Sequence, residues 1–215
     1  MKKISLIVLA LVSVSFFAFC QGKGDPKKRE EAKKEINAYM KANVLPVMIE
    51  QRKELDKKLS SSEKKEIESL RARINTLKAQ KENMPKRDRS QEPTEEQRKA
   101  FEAAKKEMRL IMTDAWAIVD NHEADFEALK EDNKENAEKW KADMKAIFDK
   151  YKPEGAEGKR GGKGGRHGKM GMMMDQNKAP MFLLMDPTKS VDELAAEMEQ
   201  RQAGRQGHHR GGKRK

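Results

Sequence analysis

The sequence predicts an all-α protein: extended antiparallel helical hairpins made of three to four long amphipathic helices, then a Gly/Lys/Met-rich tail with a short C-terminal helix. Three observations predict it. Apolar residues between Lys27 and Tyr151 recur at three- and four-residue spacing, which gathers them on one helical face. Ser60-Ser61-Ser62-Glu63 and Thr94-Glu95-Glu96-Gln97 both have the form of a capping box, in which the Ser or Thr oxygen and the Glu or Gln side chain satisfy each other's backbone N–H. The composition, 39% charged and 36% hydrophobic with 5% aromatic, supplies narrow apolar stripes and too little material for a thick interior.

Residues 1–20 read as an export signal, because Lys2 and Lys3 precede an apolar run from Ile4 to Phe19 and then a polar break. The run is shorter than the roughly 20 residues of a membrane-spanning helix. Small Ala18 and Cys20 fit the positions that signal peptidase inspects, which favours cleavage before Gln21 and a periplasmic protein. The alternative is a lipoprotein anchored through Cys20. With Cys20 the single cysteine, no disulfide forms within the chain.

A helical domain is expected over residues 21–151. Its first stripe is Ile36, Met40, Val44, Met48, Leu55 and Leu59, with a kink near Asn43 to Pro46 because Pro46 removes an N–H and crowds the preceding turn. A second helix starts after Ser60, with Ile67, Leu70, Ile74, Leu77 and Met84 spaced like a coiled-coil seam. Pro85 to Pro93 is a solvated turn that permits an antiparallel return. From Thr94 the stripe is Phe101, Ala104, Met108, Ile111, Ala115 and Ile118, and it continues through Phe126, Leu129, Trp140, Met144, Ile147 and Tyr151. A break is expected at Asp120 to His122; without it, one helix runs from Glu95 to Tyr151.

Residues 152–178 form a Gly/Lys/Met-rich stretch that reads as a flexible linker. Residues 179–202 hold an apolar peptide and a short helix capped by Ser190 and Glu193. Phe182, Leu183 and Leu184 are too apolar to stay in water, so they are expected to cover a groove between helices of the same chain or of a partner. The alternative is that they occupy a binding groove as a built-in competitor. Residues 203–215 form a basic tail read as disordered.

The formal net charge of +11 is concentrated beyond Lys152, whereas the helical body is nearly balanced. Nucleic acid is an unsuitable partner for an exported chain whose basic runs, Lys159 to Lys169 and Arg210 to Lys215, carry no interleaved aromatic residues. Weak, salt-sensitive attraction to an anionic membrane surface fits those charges. No phosphate-binding loop, nucleophile elbow, zinc-protease motif or mature cysteine nucleophile is present, so the chain does not read as an enzyme. His167, Met170, Met172, Met173 and Met174 form a soft donor set suited to Cu(I) or Ag(I), and His208 with His209 adds nitrogen donors for Zn(II) or Cu(II). Compositional drift in a Gly-rich tail produces the same residues without a ligand, and no cofactor is required. His122 reads as a solvated surface histidine.

Export, a charged helical body and repeated capping boxes resemble the periplasmic chaperones of the Spy type, a family that carries an LTxxQ motif and includes relatives linked to zinc resistance. Leu59-Ser60-Ser61-Ser62-Glu63 is similar to that motif with Ser for Thr and Glu for Gln, and Pro93-Thr94-Glu95-Glu96-Gln97 keeps Thr and Gln with Pro for Leu. The resemblance covers about residues 27–151, and the interval between the two copies is shorter than in the family. It implies a thin antiparallel helical homodimer whose concave face holds unfolding envelope clients without ATP. Methionine suits such a surface because its thioether is flexible and polarizable. The candidate client-binding residues are Ile36, Met40, Val44, Met48, Phe101, Met108, Met112 and Trp116; for each, burial in a core is the competing reading. A metal-buffering or metal-sensing protein and a structural helical adaptor are the rival functions.

Overall fold

A computed structural model describes residues 26–84, 92–151 and 178–206, and every regular element among them is helical. Residues 1–20, expected to be an export signal, most of the turn after Met84, nearly all of the Gly-rich stretch and residues 207–215 lie outside the described residues. The first helix, α1 (Pro26–Tyr39), runs through a π-helical turn (Met40–Val44) into α2 (Leu45–Lys58). That turn lies just before Pro46, where the sequence predicts a disturbance of the helix. In the widened register the Leu45 N–H reaches back to the Met40 carbonyl, and Asn43 Nδ2 donates to the Tyr39 carbonyl at 3.1 Å. Pro46 then sits in the first turn of α2, where a missing N–H costs little. The turn also separates neighbours: Val44 joins one apolar cluster and Leu45 another.

Both capping boxes form. Before α3 (Ser61–Asn83), Ser60 Oγ accepts from the Glu63 N–H at 3.2 Å, and the Ser60 N–H donates to Glu63 Oε2 at 2.8 Å. Before α4 (Glu95–Asn121), Thr94 Oγ1 accepts from the Gln97 N–H at 3.2 Å, and the Thr94 N–H donates to Gln97 Oε1 at 3.1 Å. The two helices pack antiparallel, as expected. Arg73 in the middle of α3 bonds Glu107 at 2.7 Å and Asp114 at 2.8 Å, while Glu63 near its start meets His122 just beyond the end of α4 at 3.1 Å.

The expected break after α4 falls at His122, and a second, unexpected one falls at Asn133. They divide residues 95–151 into α4, α5 (Glu123–Asp132) and α6 (Lys134–Lys150). α3 and α4 are long, as expected, at 23 and 27 residues, while α5 and α6 are shorter because the stripe turns at each break to meet first α2 and then α1. α5 folds onto α2 and α6 onto α1. Tyr39 Oη donates to Asp143 at 2.6 Å and Tyr151 Oη to Glu35 at 2.7 Å, both tying α1 to α6.

After Lys178 the chain makes a short helix, α7 (Lys178–Leu183), and then α8 (Val191–Gln206), which runs past the expected boundary at residue 202. The third capping box forms too, with the Glu193 N–H on Ser190 Oγ at 3.2 Å and the Ser190 N–H on Glu193 Oε2 at 2.8 Å. Three apolar clusters hold the body together. The largest joins α2, α3, α4 and α5 around α7; the second joins α1 and the π turn to α6; the third seats Leu194 of α8 on Leu45 and Ile49. Met48 packs against all three.

Candidate functional site

Two surfaces follow from this arrangement. The first is a groove walled by α2, α3, α4 and α5 and filled by α7. At the end of α7 the Leu184 N–H bonds the Pro180 carbonyl and the Met185 N–H bonds the Phe182 carbonyl, which leaves the carbonyls of Leu183, Leu184 and Met185 to take outside donors. Two arginines supply them. Arg52 Nε donates to the Leu183 carbonyl at 2.9 Å; Arg71 Nε donates to the Leu184 carbonyl at 3.2 Å and its Nη2 to the Met185 carbonyl at 2.6 Å. Arg71 Nη1 also lies 3.9 Å from Asp186 Oδ1. Arg52 is 1% exposed, and its Nη1 pairs with Asp56 one turn along α2. Burial pulls its guanidinium below the usual value while Asp56 opposes the shift, and a guanidinium stays charged throughout. Cations at the carbonyl end of a helix also suit the sign of its dipole.

The apolar half of the recognition is dense. Leu183 is 0% exposed, and Ala179, Phe182 and Leu184 are buried beside it against Leu55, Leu70, Ile111, Ala115 and Phe126. The rings of Phe126 and Phe182 meet edge to face, 6.2 Å between centroids and 77° between planes, a favoured aromatic geometry. Phe182, Leu183 and Leu184 therefore cover a groove of their own chain, one of the destinations expected for them. Burial raises the Asp186 carboxyl, but hydrogen bonds from Thr188, with Arg71 and Lys189 near, bring it below the ordinary carboxylate value overall.

The second surface is the outer end of the α3–α4 hairpin. The α4 stripe is covered from Ile111 onward by α3 and α7, but its first turns are not: Phe101 is 68% exposed and Met108, seven residues on and on the same face, is 37% exposed. Charged side chains surround that face, including Glu102, Lys105 and Lys106.

The eight expected client-binding residues divide accordingly. Ile36 and Val44 are buried with Trp140, Met144 and Ile147, and Met40 is packed beside them, so these residues build core. Met48, Met112 and Trp116 are half-buried against the cores. Phe101 and Met108 remain at the surface. Arg52 and Arg71 carried no sequence signal, since a helical arginine normally extends its head into water.

His122 departs from the solvated reading. Its side chain is 14% exposed, Nδ1 lies 3.0 Å from Asp125 Oδ2, and Nε2 lies 3.1 Å from Glu63 Oε1. With a carboxylate on each nitrogen the imidazolium is favoured. The bond to Asp125 raises its pKa most, burial opposes, and Glu63 adds to the rise. Both carboxyls are correspondingly lowered, Glu63 chiefly by its bonds from Ser60 and Asp125 chiefly by His122. Glu63 thus closes the α3 capping box with one oxygen and holds the α4–α5 corner with the other.

The soft donor set His167, Met170, Met172, Met173 and Met174, with His208 and His209, lies outside the described residues. Among the described residues no three His, Cys, Asp or Glu side chains gather in a way that would hold a metal ion, and no helix is long and apolar enough to cross a membrane. Comparison with protein-family models, with curated proteins and with solved structures finds no match to this chain.

Proposed function

We propose that this protein is an ATP-independent chaperone of the bacterial envelope that holds unfolding clients on the outer face of its α3–α4 hairpin. The observation that carries the reading is the exposed start of the α4 stripe, where Phe101 and Met108 stand in water on the same helical face that is core further along. A large aromatic and a flexible thioether ringed by mixed charge suit many apolar segments and demand no single sequence. The apparent export signal and the resemblance of Leu59 to Glu63 and Pro93 to Gln97 to the LTxxQ motif support the cellular setting and the absence of nucleotide.

The test is light scattering of an enzyme unfolding at raised temperature with the protein at equimolar ratio. Aggregation is expected to slow, and the double substitution Phe101→Ser, Met108→Ser is expected to remove most of the protection. Because both side chains are exposed, that variant should keep its own stability within about 0.5 kcal/mol. Protection by the variant equal to that by the parent would rule out this face as the client site.

A further inference from the structure

The groove under α7 has the character of a receptor, and α7 has that of its ligand. Residues 178–199 pack on α2, α3, α4, α5 and the π turn, yet the chain reaches them from α6 only through residues 152–177. Every hydrogen bond from Arg52 and Arg71 to this segment ends on a main-chain carbonyl, Leu183, Leu184 or Met185. Such donors read the end of a helical turn and are indifferent to which apolar side chains it carries. Charge follows the same division. The body offers Arg71 toward Asp186 at 3.9 Å and Lys41 toward Asp192 at 2.6 Å, and Asn37 Nδ2 donates to Glu199 at 3.0 Å.

We propose that this groove is a peptide-binding site, distinct from the hairpin face, for an acidic segment of another polypeptide that carries a short apolar helical turn followed by a carboxylate, and that residues 178–199 are its resident, displaceable occupant. The resident is the template for the partner: an aromatic and two leucines enter the groove, and an aspartate follows within reach of Arg71. The groove needs an occupant. Without one, Ile111 and Ala115, both 0% exposed, lose cover, and Arg52 keeps Asp56 but loses its carbonyl. Tethering sets the terms of competition, because a linked segment acts at an effective concentration on the order of millimolar. A free peptide therefore appears weaker by the ratio of that concentration to the segment's own dissociation constant, about a thousandfold where that constant is micromolar.

The test uses the full chain with a protease site inserted between residues 160 and 165, cut after folding. The probe is a fluorescein-labelled peptide with the sequence of residues 178–200. The cut fragment is expected to co-elute with the body and to be displaced by a hundredfold excess of peptide, with the body's helical circular dichroism retained. The probe should bind the cut protein at least tenfold more tightly than the uncut protein. A peptide carrying Asp186→Lys and Asp192→Lys should bind at least tenfold more weakly than the parent peptide. A fragment that resists displacement, or a body that unfolds when it leaves, would make the segment a permanent part of the core and overturn the proposal. Equal binding to cut and uncut protein would overturn the competition, and equal binding of the charge-reversed peptide would overturn the stated partner chemistry.

Discussion

His122 shows how one side chain can serve two helices and make stability depend on pH. Its pKa is raised from an ordinary 6.5, so its contribution is complete below that pH and fades as pH climbs through the higher folded value. Glu63 and Asp125 are lowered from 4.5 and 3.8, so their contributions are complete above those values and fade as pH falls through the lower folded ones. The three are strongest together at about pH 5 to 6. His122→Ala should cost about 1 kcal/mol there and distinctly less at high pH, once the parent imidazole has lost its proton. Thermal melts across that range check it, and a loss independent of pH would mean that only packing was removed. Arg52 gives a larger effect because it is buried. Arg52→Ala should destabilise by about 3 kcal/mol, leaving the Leu183 carbonyl and Asp56 short of a donor, whereas the partly exposed Arg71→Ala should cost about 1 kcal/mol. Urea unfolding of both variants gives the comparison. Neither role was legible in the sequence: a histidine or arginine among helical charges has the same local pattern whether its neighbours across the fold are water or carbonyls.

At the scale of elements, local chemistry speaks more plainly. A capping box is closed by residues three apart, so Ser60, Thr94 and Ser190 could be recognised from sequence and all three form. Their stakes differ with position. Leu59, just before the α3 box, is buried, while the α4 box sits at the exposed end of the hairpin. Ser60→Ala should therefore lower global stability by about 1 kcal/mol. Thr94→Ala should mainly speed amide exchange over residues 95–100 with little change in the unfolding midpoint. Exchange mass spectrometry beside chemical denaturation separates the two outcomes. A disturbance of the helix near Pro46 was equally legible, since a missing N–H is a property of the residue; its form, a π turn over Met40–Val44, was not. The break at Asn133 had only a weak local signal, an asparagine of the kind that often stands at helix ends. Asn133 is buried at a corner whose position follows from α6 packing on α1.

Among the described residues the whole molecule is held by three apolar clusters in place of one thick core, as a chain with 5% aromatic and 39% charged residues would require. Met48 is their common member, and an unbranched thioether can fit three differently shaped neighbours at once. Met48→Ala should cost about 2 kcal/mol, more than Met112→Ala, which is also half-buried but touches only the largest cluster. A denaturation series on the two variants tests that ranking; equal losses would mean that the clusters are not coupled through Met48. Helix type, helix starts, the disturbance near Pro46 and the need to cover Phe182 to Leu184 were all settled by residues within a few positions of one another, because hydrogen bonding along a helix and apolar periodicity are local. Which stripe became core was not. Ile36 and Phe101 carry the same periodic signal, and α6 covers the first while nothing among the described residues covers the second. The groove that receives α7 likewise exists only once four helices have met, since its two arginines and its apolar walls are far apart in sequence and are brought together by long-range packing.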